Sequence, residues 1–271
     1  MRHYRQVSAV AFSPCFTTEK SARLLGEALS EELNIPMQQI RFTTLKEREK
    51  TREFEDDELV IVAAPTYAGK LPNKIMPDFK TKLFGIETDA VALVTFGNRA
   101  YENSLAELSA VLKSNNFNII AGAAVVNEHS MAHTAQGRPN TRDAAELKEF
   151  AKKIAEKIKA DNCFEPEIPG DASAPYYVPK QENGEPAKFL PAKPKTDLGK
   201  CDNCGMCARN CPMGSINPDD PSDVPGICIK CHACVNRCTK HAKYFDDAQL
   251  ASHLRMIQTN FSEDKQNEFF I

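Results

Sequence analysis

The feature that most constrains this chain is a run of four cysteines that occurs twice near its C-terminus. The first run consists of Cys201, Cys204, Cys207 and Cys211, and the second of Cys228, Cys231, Cys234 and Cys238. In both runs, two residues separate the first three cysteines from one another and three residues precede the fourth. The runs contain eight of the ten cysteines in the chain. Gaps of two residues let consecutive thiolates curl around one inorganic centre.

In a run of this form, the first three thiolates bind one iron–sulfur cube and the fourth binds the cube of the other run. The spacing therefore predicts two 4Fe–4S clusters, with Cys238 completing the first ligand set and Cys211 the second. A pair of zinc knuckles is the alternative, since C-x2-C pairs also suit zinc. Zinc chemistry does not require a third such step followed by a fourth cysteine and Pro212, so iron–sulfur clusters are favoured.

Length and charge restrict what else the chain contains. At 271 residues it is long enough for two domains, and the cysteine-rich part takes only about fifty of them. The net charge of −3 argues against a nucleic-acid partner. No apolar run approaches the ~20 residues of a membrane span, and the N-terminus leads into a short strand rather than a signal segment. We expect a cytoplasmic protein, whose cysteines stay reduced unless they bind metal or do redox work.

The N-terminal part alternates between strand and helix patterns. Strands are predicted at residues 7–12, 39–43, 58–64, 91–96 and 117–126, and helices at 21–33, 103–113 and 141–159. The strands at 58–64 and 91–96 are continuous apolar runs, as expected of parallel strands that are buried on both faces. Five such strands with intervening helices predict an α/β fold with a doubly wound parallel sheet.

These patterns divide the chain into four parts. Residues 1–160 form the sheet domain, and 161–195 form a proline-rich linker that contains Tyr176, Tyr177 and Phe189. Residues 196–245 form the cluster domain, and 246–271 form a C-terminal helix and tail. Proline-rich chain is semi-extended. The linker is therefore either a loose tether or a segment that lies along the sheet domain through its aromatic residues.

Three loops follow predicted strands, at residues 13–18, 65–72 and 96–101. An open α/β sheet binds its ligand at the carboxyl ends of its strands, so these loops are the candidate site. The first loop opens a helix and carries hydroxyl groups, which suits a phosphate. A turn rich in serine and threonine is also an ordinary helix cap. The other two loops favour the ligand-binding interpretation.

The loop motifs resemble the flavodoxin fold, and specifically the family of flavodoxin–ferredoxin fusions. The resemblance rests on S-P-x-x-T-T at 13–18, P-x-Y-x-G-x-x-P at 65–72, G-N-R-A-Y at 97–101, G-R-P at 137–139 and the doubled cysteine run. It implies a flavodoxin-like five-stranded sheet that binds FMN, joined to a small α+β bacterial ferredoxin-like domain. The implied FMN-binding residues are Ser13, Cys15, Phe16, Thr17, Thr18, Pro65, Thr66, Tyr67, Ala68, Gly69, Phe96, Gly97, Asn98, Arg99 and Tyr101.

In the resemblance, the first loop binds the FMN phosphate and the other two flank the ring. Tyr67 and Tyr101 would stack on the ring, and Asn98 would make a polar contact. The chain departs from the family at Cys15 and Phe16, where Thr-Gly is common. We expect Cys15 to contribute only its backbone N–H. Because glycine permits a positive φ and close approach, Phe16 predicts a lower affinity for FMN.

An electron-transfer iron–sulfur flavoprotein that relays electrons between FMN and the clusters is the leading interpretation. A reductase acting on a small substrate at the flavin is the alternative, with His129 and Tyr101 as candidate proton donors. A third interpretation is a binding module that has lost FMN. A nicotinamide partner is disfavoured because no two of the twelve glycines are two residues apart. We expect redox proteins as partners and docking of the clusters near the ring loops, within one chain or across a homodimer.

Overall fold

A computed structural model describes residues 3–271, and the elements in that range alternate between strands and helices. The strands are β1 (Gln6–Ala11), β2 (Met37–Arg41), β3 (Arg52–Phe54), β4 (Glu58–Pro65), β5 (Leu83–Gly85), β6 (Thr88–Phe96), β7 (Phe117–Val126), β8 (Lys195–Thr196), β9 (Lys243–Tyr244) and β10 (Glu268–Phe270). The helices are α1 (Thr17–Leu33), α2 (Leu45–Arg48), α3 (Met76–Lys82), α4 (Ser104–Ser114), α5 (Thr141–Lys159), α6 (Met206–Arg209), α7 (Ala233–Asn236) and α8 (Ala248–Asn260).

The central sheet has the strand order β10-β7-β6-β4-β1-β2 within the described residues. Strands β2, β1, β4, β6 and β7 are parallel to one another, and β10 is antiparallel to β7. Counted among themselves, the parallel strands follow the order 2-1-3-4-5, which is the flavodoxin-like order. The predicted doubly wound fold is confirmed. The crossover helices bury their apolar faces on both sides of the sheet.

The two faces of the sheet carry separate cores. Helices α1 and α5 pack together on one face, where Leu25 and Ile154 are fully buried. On the other face, Leu105 and Leu108 of α4 are buried with Phe79 of α3. Strands β4 and β6 are buried along nearly their whole length because helices cover both faces. This covering explains why their sequences are continuous apolar runs rather than alternating ones.

Several predicted boundaries were wrong. Helix α1 begins at Thr17 rather than at residue 21, because Phe16 adopts a left-handed conformation and the Ser13 hydroxyl accepts the backbone N–H of Glu19. Strand β2 covers Met37–Arg41 rather than residues 39–43. The short elements β3, β5, α2 and α3 were not predicted, since segments of seven residues or fewer carry little periodicity.

The C-terminal tail adds a strand that the sequence did not predict. Strand β10 pairs with β7, with Phe269 opposite Ala123. The Phe269 ring also packs on Phe150 of α5, with 4.7 Å between ring centroids. The tail therefore closes the β7 edge of the sheet, which would otherwise present unpaired backbone groups.

The linker lies along the sheet domain. The Tyr176 hydroxyl donates to the carbonyl of Leu71 at 2.7 Å, and the Tyr177 N–H donates to the carbonyl of Ala68 at 2.9 Å. The Arg99 guanidinium lies 3.9 Å from the centre of the Tyr177 ring. The linker thus contacts two of the candidate loops. The division of the chain into four parts stays a prediction.

The small C-terminal unit has the predicted α+β character. Strands β8 and β9 pair in a two-stranded antiparallel sheet, and α6 and α7 each follow the second cysteine of a run. Helix α8 packs its buried Met256 and Ile257 beside Ala132 of the sheet domain. In the part of the chain that the structure describes, no helix is long and apolar enough to cross a membrane.

A buried carboxylate, Asp143, ties the tail to the start of α5, where Asn140 forms the predicted cap. Burial raises the pKa of Asp143. Hydrogen bonds from Arg138, the Asn140 backbone and the Asn267 amide outweigh that effect and hold the pKa below its ordinary value. The folded state therefore prefers the carboxylate. Its contribution to stability is present above the unfolded pKa of about 3.9 and is lost as pH falls through the folded pKa.

We expect Asp143→Asn to lower the free energy of unfolding by about 3 kcal/mol, because it leaves the buried Arg138 without its carboxylate. The deficit should stay constant between about pH 8 and pH 5, since that window lies above the unfolded pKa. Denaturant unfolding at several pH values measures it. Asp56→Asn, at an exposed position, is the control. A deficit that changes steeply within that window would contradict this account of Asp143.

Candidate functional site

Four cysteines from both runs line one cavity of the C-terminal unit. They are Cys201, Cys204, Cys207 and Cys238. Three belong to the first run and one to the second, as the crossed ligand pattern requires. Lys243 and Pro221 complete part of the wall. This group of four thiols is called the outer set below.

The remaining run cysteines form a second group, called the inner set. Its members are Cys211, Cys228, Cys231 and Cys234. Burial raises the pKa of the last three thiols, and the nearby charge of Cys211 raises each of them further. Mutual influence of this kind requires short separations. Cys211, the fourth cysteine of the first run, therefore lies near these three thiols, and Cys207 of the outer set also lies near Cys234.

The two runs repeat one backbone conformation. Asn203, Gly205 and Gly214 have positive φ values of 59°, 69° and 58°. The equivalent residues of the second run, Lys230, His232 and His241, have values of 55°, 59° and 50°. Non-glycine residues adopt this region rarely. Its recurrence at three matching positions shows that both runs follow the same backbone path.

Backbone N–H groups point at the sulfur atoms in the same way in both runs. The N–H of Ser215 donates to Cys211 Sγ at 3.3 Å, and that of Ala242 donates to Cys238 Sγ at 3.3 Å. In each case the donor lies four residues after the fourth cysteine. Such bonds favour the thiolate form that a metal ligand needs. The donor set and its backbone therefore fit a 4Fe–4S cube in each group.

The inner set faces the sheet domain and the outer set faces solvent. Met213 and Ile229, which flank the inner set, pack against the core on the α3–α4 face of the sheet. The Arg48 guanidinium also donates to the carbonyl of Pro212 at 2.8 Å. In the outer set, Cys204 is exposed, and the side chain of neighbouring Met206 is 40% exposed. The two sets therefore run from the surface toward the candidate loops.

The first candidate loop, between β1 and α1, presents backbone donors. Phe16 has a φ of 66°, so it keeps the left-handed turn that a glycine would supply. Across the described chain, the N–H groups of Cys15, Thr17 and Thr18 meet no acceptor. The hydroxyls of Ser13 and Thr18 are engaged with Glu19 N and Thr95 Oγ1. The loop thus offers N–H groups and the positive end of a helix to an anion.

Cys15 joins this loop to the inner set, which the sequence did not predict. Its thiol donates to the carbonyl of Cys231 at 3.2 Å and accepts from Asn236 Nδ2 at 3.6 Å. Burial raises the pKa of Cys15 to about 11, against the effects of Asn236 and Arg237. Cys15 is therefore a neutral thiol at the contact between the two domains.

The second candidate loop follows β4 and lies close to the inner set. Tyr67 lies deep in the molecule but keeps part of its accessible surface. Burial, followed by the charges of Cys231 and Cys15, raises the pKa of its hydroxyl. Ala68 and Gly69 both have positive φ, and a Cβ on Gly69 would overlap the Glu102 carboxylate. Pro65 ends β4, and Thr66 is fixed by the Thr95 carbonyl and the Ser104 hydroxyl.

The third candidate loop binds the C-terminal tail. The Asn98 amide donates to the carbonyls of Phe261 and Glu263, at 2.7 Å and 2.8 Å, and its oxygen accepts the N–H of Lys265 at 3.0 Å. The Tyr101 hydroxyl donates to Glu268 at 2.7 Å, and its ring lies 5.5 Å from that of Phe96. The polar atoms of Asn98 and Tyr101 thus bind the tail in this structure. The flavin contacts predicted for both residues stay predictions.

His129 packs directly on Gly97 of the third candidate loop. A Cβ on Gly97 would overlap the His129 ring, so only glycine permits this packing. His129 Nδ1 accepts the N–H groups of Met131 and Ala132 at 3.2 Å and 2.9 Å. Burial, aided by nearby cationic groups, lowers the pKa of His129 to about 4. The ring is therefore neutral near pH 7, with its proton on Nε2.

Several buried donors around these loops have no partner. Among residues 3–271, they include Asn127 Nδ2 and Arg237 Nε. Asn127 directly follows β7 and is only 2% exposed, and its side-chain oxygen accepts a hydrogen bond from the Ser21 hydroxyl of α1. Unpaired buried donors are costly and point to a missing acceptor. Together with the free N–H groups of the first loop, they fit a phosphorylated ligand such as FMN.

Comparison with known proteins agrees with this division of the chain. Residues 194–217, which contain the first cysteine run, match the family model described as 4Fe-4S binding domain. No curated protein sequence matches the chain. The match to the family model and the strand order together show that the chain joins a flavodoxin-like sheet domain to a 4Fe–4S binding segment.

Solved structures similar to the N-terminal part are flavodoxins and a related oxidoreductase. An archaeal flavodoxin is 17% identical, covering 57% of this chain and 99% of its own, with a TM-score of 0.38. The flavodoxin of Streptococcus pneumoniae TIGR4 is 19% identical, covering 56% and 99%, with a TM-score of 0.41. Rubredoxin oxygen:oxidoreductase from Desulfovibrio gigas is 20% identical, covering 59% and 37%, with a TM-score of 0.37.

Proposed function

We propose that this protein is an electron carrier that relays electrons between FMN and two 4Fe–4S clusters. One observation carries the proposal. The inner cysteine set lies directly against the loop that starts α1, with the Cys15 thiol on the carbonyl of Cys231 at 3.2 Å. A flavin whose phosphate lies on that loop would have an iron–sulfur centre beside it. Such contact within one chain supports internal transfer rather than two independent carriers.

In this proposal, the outer and inner cysteine sets have different roles. The outer set would hold the solvent-facing cluster and exchange single electrons with redox proteins. The inner set would hold the second cluster against the sheet domain. The N–H groups of Cys15, Thr17 and Thr18 would bind the phosphate, and Tyr67 would stack on the flavin ring. When bound, FMN supplies exchange of one or two electrons, which single-electron clusters lack.

Direct reduction of a small substrate is less well supported. It requires a proton donor with access to the flavin. The Tyr101 hydroxyl is bound to Glu268, and His129 is buried and neutral. The hydrogen bond from Tyr101 to Glu268 holds the tail on the sheet domain and leaves the hydroxyl proton engaged. We therefore keep electron transfer as the proposed function.

Cofactor analysis tests the proposal directly. Protein purified without oxygen is expected to contain about eight iron, eight sulfide and one FMN per chain, because two cubes require that iron count. Iron and sulfide assays, zinc analysis and mass measurement of the acid-released flavin give the numbers. About four iron, or bound zinc, would contradict the two clusters. About eight iron per chain without any flavin would contradict the relay. The protein would then carry electrons on its clusters alone.

A further inference from the structure

The strongest unexplained feature outside the ligand sets is the side chain of Arg237, at the end of α7. One guanidinium nitrogen donates to the side-chain oxygen of Asn210, while the buried Nε–H has no partner. Among residues 3–271, no carboxylate forms an ion pair with Arg237, and the charge of Glu19, which is paired with Arg41, acts on it only from beyond ion-pair distance. A partly buried cation without a counter-charge is costly. Its position therefore indicates an anion that the protein itself does not supply.

Phe16 holds this guanidinium in place. The carbon at the centre of the Arg237 guanidinium lies 3.4 Å from the centre of the Phe16 ring. Arginine stacks on aromatic faces through its plane and its charge. This stacking explains why a phenylalanine stands at position 16, where glycine is common. Glycine would keep the turn but would give the guanidinium no aromatic ring to stack on. The Phe16 side chain positions a cation at the first candidate loop.

The stacked pair lies where the first loop presents its donors. Phe16 immediately precedes α1, so its ring projects from the same turn that carries the positive end of the helix and the unpaired N–H groups. Arg41 lies on the Phe16 ring as well, at 5.2 Å, but its charge is matched by Glu19 at 3.2 Å. Arg237 is the guanidinium here that still requires an anion. It comes from the cluster domain, whereas the loop belongs to the sheet domain.

We propose that Arg237 completes the FMN phosphate site from the cluster domain, with Phe16 as its positioning residue. This inference rests on the proposed function, since it assumes that the flavin phosphate occupies the first loop. The phosphate would then link both domains. Binding of FMN and docking of the inner cluster would stabilise each other, because coupling between two binding events is reciprocal.

The test compares FMN with riboflavin, which lacks the phosphate. Full-length protein with both clusters present and flavin removed is titrated with each flavin, and fluorescence quenching gives Kd. Arg237→Gln is expected to weaken FMN about 10- to 100-fold, the usual effect of losing a charged hydrogen bond, and to leave riboflavin unchanged. Arg237→Lys keeps the charge but lacks the planar group that stacks on Phe16. Its Kd for FMN should therefore lie between those of the wild type and Arg237→Gln. Phe16→Gly should weaken FMN in the same direction.

Arg41→Gln is the matched control and is expected to change FMN binding by less than about threefold, because Glu19 already matches that charge. Iron content of each variant checks that the clusters remain. Equal weakening of FMN and riboflavin would show that Arg237 only holds the domains together, and unchanged FMN binding would remove it from the site. Wild-type protein that binds riboflavin and FMN equally would overturn this inference alone. Binding of neither flavin would overturn the proposed function as well.

Discussion

Replacing Cys238 by alanine is expected to remove the outer cluster, although Cys238 belongs to the second run. The structure places Cys238 in one cavity with three cysteines of the first run. A cube that loses one of four thiolates is rarely retained with its original properties, so iron should fall from about eight to about four per chain. Iron and sulfide assays and electron paramagnetic resonance of the reduced protein measure the change.

The comparison variants decide which cluster is lost. Cys204→Ala removes a ligand of the outer set, and Cys231→Ala removes one of the inner set. The spectrum of Cys238→Ala should match that of Cys204→Ala and differ from that of Cys231→Ala. Cys163→Ala, outside both runs, should retain full iron. A spectrum of Cys238→Ala that matches Cys231→Ala would show that each run binds its own cube.

Replacing Asn98 by glycine is expected to lower the free energy of unfolding by about 3 kcal/mol, because three hydrogen bonds worth about 1 kcal/mol each are lost. Asn98 is fully buried and binds the backbone of Phe261, Glu263 and Lys265. Glycine retains the positive φ of 67° at this position, so the substitution isolates the side-chain contacts. Denaturant unfolding measures the loss.

Hydrogen exchange should locate the effect of Asn98→Gly in the tail, from residue 261 to strand β10. The matched control is Asn116→Gly, since Asn116 has a similar φ of 62° but an exposed side chain. That control should change stability by less than about 1 kcal/mol. Equal losses in the two variants, or unchanged exchange in the tail, would show that Asn98 does not hold the C-terminal segment.

The sequence by itself determined the parts that depend on short-range spacing. The two cysteine runs wind the backbone locally, so their spacing predicted both ligand groups and the crossed positions of Cys211 and Cys238. Apolar runs in β4 and β6 predicted buried parallel strands for the same reason. Each of these patterns lies within about ten residues. The alternation of such segments predicted a doubly wound parallel sheet, and the resemblance of the loops implied that it is flavodoxin-like.

Only the tertiary structure decided how distant segments meet. Strand β10 pairs with β7 across more than 140 residues, and Arg237 reaches Phe16 across more than 200. No local pattern encodes such contacts, because they depend on how packed surfaces fit once the elements have formed. The sequence identified Phe16 as a departure from glycine and Asn98 as a ring contact. Packing placed Phe16 beneath a guanidinium and the Asn98 amide on the tail, since each side chain binds the partner that the fold brings within reach, and the ring contact of Asn98 stays a prediction.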